Sequence, residues 1–116
     1  MTKVTMLLAQ GPAQPFGDLN DRIQLSVTLT SQAHIDGVAW ETGTLPWVAT
    51  RDRLGQARRT SELVKIDSGW ALRSIGGEDD PLYSLDVQIV RPGELAMVRP
   101  PNGDELLYRI VAVEPE

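Results

Sequence analysis

From Arg22 to Thr30 the chain alternates without a break: Ile23, Leu25, Val27 and Leu29 are apolar, and the residues between them are polar. A period of two marks a half-buried strand, since on a helix these four side chains would spread around the axis. Lys3 to Ala9 predicts a first strand, and Gln10 to Asn20, with Gly11, Pro12, Pro15 and Gly17, predicts an irregular connection. Val38 to Thr42 and Trp47 to Thr50 flank Gly43-Thr44-Leu45-Pro46, as two short strands would flank a turn, and Pro46 suggests an edge. Val64 and Ile66 share a side within Glu62 to Asp67. After Ser68-Gly69, Trp70 and Leu72 continue in register, which predicts a hairpin or one bulged strand.

The last third is the most regular. Leu85, Val87 and Ile89 alternate with polar residues, and Arg91-Pro92-Gly93-Glu94 has Pro and Gly where a type II turn wants them. A strand over Leu95 to Arg99 leads into Pro100-Pro101-Asn102-Gly103-Asp104, a strong hairpin signal. Leu106 to Val113 carries apolar residues on both faces, which predicts a strand with neighbours on both sides.

These patterns predict an all-β fold, a small barrel or sandwich of about seven to nine short antiparallel strands. The fallback is α+β with one short helix near 51–63, because Thr50 to Arg59 is rich in helix formers although it has little apolar face. The 116 residues suit one domain spanning 1–116 with one core. Several candidate edge strands would need protection, so a homo-oligomer such as a homodimer is expected.

Composition narrows the classes further. Hydrophobic residues at 41% and charged residues at 23% match a folded globular chain rather than a disordered one. With aromatics at only 5%, the core must be mainly aliphatic, and Trp40, Trp47 and Trp70 become candidate anchors. The chain has no cysteine, which removes disulfides, thiolate chemistry and cysteine-bound zinc and points to a reducing, cytoplasmic compartment. The apolar run Val4 to Ala9 is too short for a membrane span or a secretory core. A net charge of −5 opposes general nucleic-acid binding.

Candidate chemistry is sparse. His34 is the lone histidine, so a metal site there would need carboxylate co-ligands, and only Asp36 is close in sequence. A Ser-His-Asp set could assemble in space, yet no G-x-S-x-G turn is present. Glu78-Asp79-Asp80 is the densest acidic cluster, but it lacks calcium-loop spacing and fits a solvated surface turn. Gly76-Gly77 has no helix after it to cradle a phosphate. No catalytic residue, metal ligand or cofactor is therefore assigned.

One local feature points to binding. Arg51, Arg53, Arg58 and Arg59, four arginines less Asp52, carry a net +3 inside an acidic chain. Arginine forks suit phosphate or carboxylate, and Trp47 beside them would add stacking. Equally, the arginines can pair with Glu78, Asp79 and Asp80. Phe16, the only Phe, sits in the 10–20 connection as either a plug over the core or a contact residue.

The segment Asp80 to Glu114, and especially Gly93 to Arg99 through Asn102-Gly103 to Tyr108-Arg109-Ile110-Val111-Ala112-Val113-Glu114, is similar to the closing hairpin of the C-terminal domain of the Gre transcript-cleavage factors. Such hairpins also close SH3-like barrels and small phage connector domains. The resemblance implies no function, because nothing here has the heptads of the Gre coiled coil and no functional residue carries over.

Three functional readings follow. The leading one is a non-enzymatic protein-interaction or assembly module with a protein partner or a second copy, contacting through the Trp residues and loop 10–20. The second is a nucleic-acid or nucleotide-phosphate binder using Arg51, Arg53, Arg58 and Arg59. The third is a small carboxylate-based enzyme. No membrane partner is expected.

Overall fold

The computed structural model describes residues 1–77 and 80–116. Eight strands, β1 (Thr2–Gln10), β2 (Asp18–Val27), β3 (Val48–Asp52), β4 (Arg59–Ile66), β5 (Gly69–Ser74), β6 (Tyr83–Val87), β7 (Leu95–Arg99) and β8 (Leu106–Pro115), form one closed barrel in chain order. Every neighbouring pair is antiparallel, and β8 closes the ring on β1. The fold is all-β, as the alternation predicts.

Closure changes the consequence of the edge expectation. Among the described residues every strand is paired on both sides, so no strand edge remains for dimerisation to protect. Pro46 therefore does not mark an edge strand; it lies in the approach to β3, which pairs with both β2 and β4.

The alternating rows point inward. Val4, Met6 and Leu8 from β1, Ile23, Leu25 and Val27 from β2, Ala49, Leu63, Leu72, Leu85, Ala96 and Val98, with Tyr108 and Ile110 from β8, fill the interior. An eight-stranded barrel is just wide enough for side chains to fill. β8 owes its two-faced apolar pattern to a bulge. Thr5 pairs with Ala112 and Met6 with Ile110, so Val111 is the extra residue, and the inward row passes from Tyr108 and Ile110 to Val113.

Turn chemistry matches the sequence. Gly93 adopts φ 94°, the left-handed value a type II turn requires there, and the Glu94 N–H donates to Arg91 O. The region around 64–75 is a true hairpin, with Ile66 opposite Gly69.

Two local expectations fail. Val38 to Thr42 is not a strand: the only helix among the described residues, α1 (Gly37–Thr42), occupies it. Asp36 caps that helix, its Oδ1 accepting from the Val38 and Ala39 N–H groups, and this local bonding overrides the β propensity of Val38 and Trp40. The fallback helix near 51–63 is also absent, because Arg51 and Arg59 are opposite partners in a β3–β4 hairpin.

The strand directions sort the connections onto two ends. One end carries the excursion 28–47, the turn after β4, the connection after β6 and both termini. Leu29, Ile35, Ala39 and Trp40 of the excursion pack on the core there, with Trp47 and Val90 buried, and the Trp40 indole N–H donates to Leu63 O at 2.9 Å. The connections after β1, β3, β5 and β7 meet at the other end, the mouth.

Candidate functional site

At the mouth the inward rows turn polar. Asp21 precedes Ile23, Leu25 and Val27 on the odd-numbered row of β2, and Arg51 follows Ala49 in β3, on the row that Trp47 begins just before the strand. Arg59 continues the row of Ser61 and Leu63 in β4. Asp21 reaches its place through an irregularity: Leu7 pairs with Arg22 but Leu8 with Asp18, so Leu19, Asn20 and Asp21 form an extra loop in β2.

Asp21 and Arg51 form a bidentate pair, Nε to Oδ1 at 3.0 Å and Nη2 to Oδ2 at 2.8 Å, with side chains only 5% and 13% exposed. The Tyr108 hydroxyl donates to the same Asp21 Oδ1 at 2.9 Å. Burial opposes the Arg51 charge, but the bond and charge of Asp21 outweigh it and hold the guanidinium above its ordinary range. Burial also pushes the Tyr108 phenol up, strongly, with Asp21 adding to the shift.

Arg59 stands directly across from Arg51 in the hairpin. Its Nη1 donates to the Tyr83 hydroxyl at 3.1 Å, its Nη2 to Ser74 Oγ at 2.7 Å, and its guanidinium lies 4.1 Å from the Tyr83 ring centroid. Beneath the two arginines, Ile23, Ala49, Ser61, Leu72 and Val98 help enclose a cavity of about 20 Å³, room for one water.

The remaining arginines differ. Arg58 makes a bidentate bond to Asp52, which also faces Arg22 at 3.6 Å. The bond to Arg58 is the main cause that holds the Asp52 carboxyl below its usual range, and the same bond raises Arg58. Arg53 is exposed and has no side-chain partner among the described residues. The arginines thus find Asp21 and Asp52 rather than the acidic cluster; Glu78 and Asp79 lie outside the described residues, and Asp80 makes no ion pair among them.

Trp47 is not beside these arginines. It is buried 6% exposed at the far end of β3, opposite Leu63, whose N–H donates to Trp47 O. Four residues along a strand separate it from Arg51 by about 13 Å. Nor is Phe16 a plug: at 99% exposed it is the most exposed of the large apolar side chains among the described residues. It rides on the β1–β2 arm at the mouth, where Gly11 and Gln14 exchange backbone bonds at 3.0 and 3.1 Å. Next to it, Gly17 has φ 84°, and a Cβ there would stand 2.5 Å from Leu8 O. Only glycine fits, and the arm is pinned to β1 at that point.

Between the arm and the β3–β4 turn runs a groove of about 420 Å³, walled by Leu8, Pro12, Leu54 and Leu106 with Arg53 and Asp104 at its polar side. Leu54 and Leu19, each 80% exposed, lie at the same end. His34 is at the opposite end, its Nδ1 2.8 Å from Gln88 O. No group of three or more His, Asp or Glu among the described residues could hold a metal ion.

Sequence reasoning missed Asp21, Tyr108 and Tyr83. A signal for Asp21 was present: it occupies the odd-numbered position preceding Ile23, so its carboxylate falls on the inward row. Compared with known protein families, with curated proteins and with solved structures, the chain has no match.

Proposed function

We propose that the protein is a non-enzymatic interaction module that docks a protein partner through the mouth end, with Phe16 as the anchor. The observation that carries this reading is a fully exposed Phe on an arm held in place by the close approach of Gly17 to β1. A large ring left in water on a fixed support favours a binding role, because aromatic anchors dominate interfaces and a preorganised loop loses little entropy on docking. The filled interior agrees, since space for one water leaves no room there for an organic substrate. Two of the four arginines, Arg51 and Arg58, are held in bidentate pairs with carboxylates, which leaves less uncompensated charge for a nucleic acid and weakens that reading.

The absence of cysteine supports a reducing, cytoplasmic setting. Among the described residues no helix is long and apolar enough to cross a membrane. A second copy is one partner the mouth can take.

A photo-crosslinking side chain placed at position 16 tests the proposal, with one at Val38 on the capped end as control. A reproducible adduct specific to position 16 supports it. The same adducts from both positions, or none, would sink it. Light scattering of wild type and Phe16→Ala separates the partners: a dimer lost in the variant identifies a second copy.

A further inference from the structure

The mouth carries an unbalanced charge. Arg51 and Arg59 are directly opposite in the β3–β4 register, both on inward rows, and like charges so placed repel. Asp21 is the one carboxylate on the cluster among the described residues, and Arg51 takes both its oxygens while Tyr108 shares one. Among the described residues Arg59 is answered only by the hydroxyls of Tyr83 and Ser74 and by the face of the Tyr83 ring. Hydroxyls accept its hydrogen bonds without neutralising it, so among the described residues two arginines less Asp21 leave a net +1 in a half-buried setting, within a chain of net −5. A guanidinium already aimed by two hydroxyls, with a water-sized space beside it, is a preorganised receptor for an oxyanion.

We propose that the mouth binds a phosphate-class oxyanion on Arg59, with the Tyr83 and Ser74 hydroxyls turning to donate and one anion oxygen lodged over the cavity beside Ser61. Arg51 sets the positive field but stays with Asp21. The site is independent of Phe16: it lies inside the barrel rim, whereas the arm contact lies outside it. Free phosphate and a phosphate carried on a larger ligand share this chemistry. The narrow cavity admits a single oxygen and requires the rest of the group to face outward.

The test is a titration of inorganic phosphate, and in parallel phenyl phosphate, followed by 31P line broadening at constant ionic strength set with chloride. Saturable binding is expected in wild type and in Arg91→Gln, an exposed arginine at the capped end. Arg59→Gln is expected to weaken it about tenfold or more, the loss of a hydrogen-bonded charge. Tighter binding of phenyl phosphate than of inorganic phosphate marks a carried phosphate, and equal binding a free one. Should Arg59→Gln fail to fold, Arg59→Lys, which keeps the charge but loses the fork, and Tyr83→Phe are expected to bind more weakly than wild type. Equal binding by wild type and the Arg59 or Tyr83 variants overturns the proposal. So does an absence of saturable binding in wild type.

Discussion

The two ends of the barrel finish the same hydrophobic interior in opposite ways. At the capped end the long excursion folds back, and Trp47, Val90, Ile35 and Trp40 extend the apolar core to its limit. At the mouth none of the described segments folds over the core as the excursion does, and the inward rows end in two bonded groups, Asp21 with Arg51 and Tyr108, and Arg59 with Tyr83. An apolar seal tolerates changes of shape within limits set by packing. A polar seal depends on every partner, since removing one leaves a charge buried and alone.

The contrast is sharpest in the response to single substitutions. Asp21→Ala leaves Arg51 and the Tyr108 hydroxyl without their acceptor, and a loss of about 3–5 kcal/mol is expected in urea unfolding. The double change Asp21→Leu with Arg51→Met should recover most of that loss, because an apolar pair of similar volume replaces the ion pair without leaving a lone charge. If the double variant is no more stable than Asp21→Ala, the mouth is held by shape rather than by charge balance.

Trp47→Ala at the capped end should also lose about 3–5 kcal/mol, but through a cavity, so that Trp47→Phe recovers part of it. Trp40→Phe keeps the ring and removes the bond to Leu63 O, with an expected cost of about 1 kcal/mol.

Base titration separates the ends by a different readout. The folded Tyr108 phenol is raised above its unfolded value, so its contribution is fully present below the unfolded pKa and fades as pH rises above it. Phenolate absorbance of wild type and Tyr108→Phe should therefore coincide up to alkaline unfolding, and an extra ionisation in folded wild type would contradict the burial of Tyr108. Asp52 has the opposite sign. Its folded pKa is depressed by Arg58, so its stabilisation is present above the unfolded carboxylate pKa and is lost as pH falls through the folded one. Arg58→Gln should flatten the acid limb of the stability curve slightly, as expected of an exposed pair. Phe16→Ala is the smallest change in this series, within about 0.5 kcal/mol of wild type, because the ring touches water rather than the core.

Much of the architecture was legible along the chain. The alternation of Ile23 to Leu29, the type II turn at Gly93 and the hairpin at Asn102-Gly103 are local patterns; both turns formed where their residues indicated, and the strand did so up to Val27, with Leu29 already in the excursion. A period of two reports which side of a strand is buried, and turn glycines report backbone angles; both are properties of a few adjacent residues. The inward placement of Asp21 was legible in the same way, as a continuation of that row.

Other features escaped a reading of alternation or depended on contacts between distant segments. Asp36 turned Val38 to Thr42 into a helix in the segment that closes one end of the barrel, and no alternation within those five residues could indicate it. Trp47 and Arg51 are close in sequence yet lie toward opposite ends, because a strand carries successive residues steadily away. The arginine run read as one patch, but the barrel divided it among Asp21, Asp52 and the hydroxyls of Tyr83 and Ser74, contributed by β2, β3, β6 and β5. The sequence by itself determined which side chains face inward and where the chain turns, since those follow from neighbours. Only the tertiary structure decided that the barrel closes, that one end is sealed by tryptophan and the other by charge, and that Arg59 stands opposite Arg51 without a carboxylate of its own among the described residues, because register between strands is set by the whole ring.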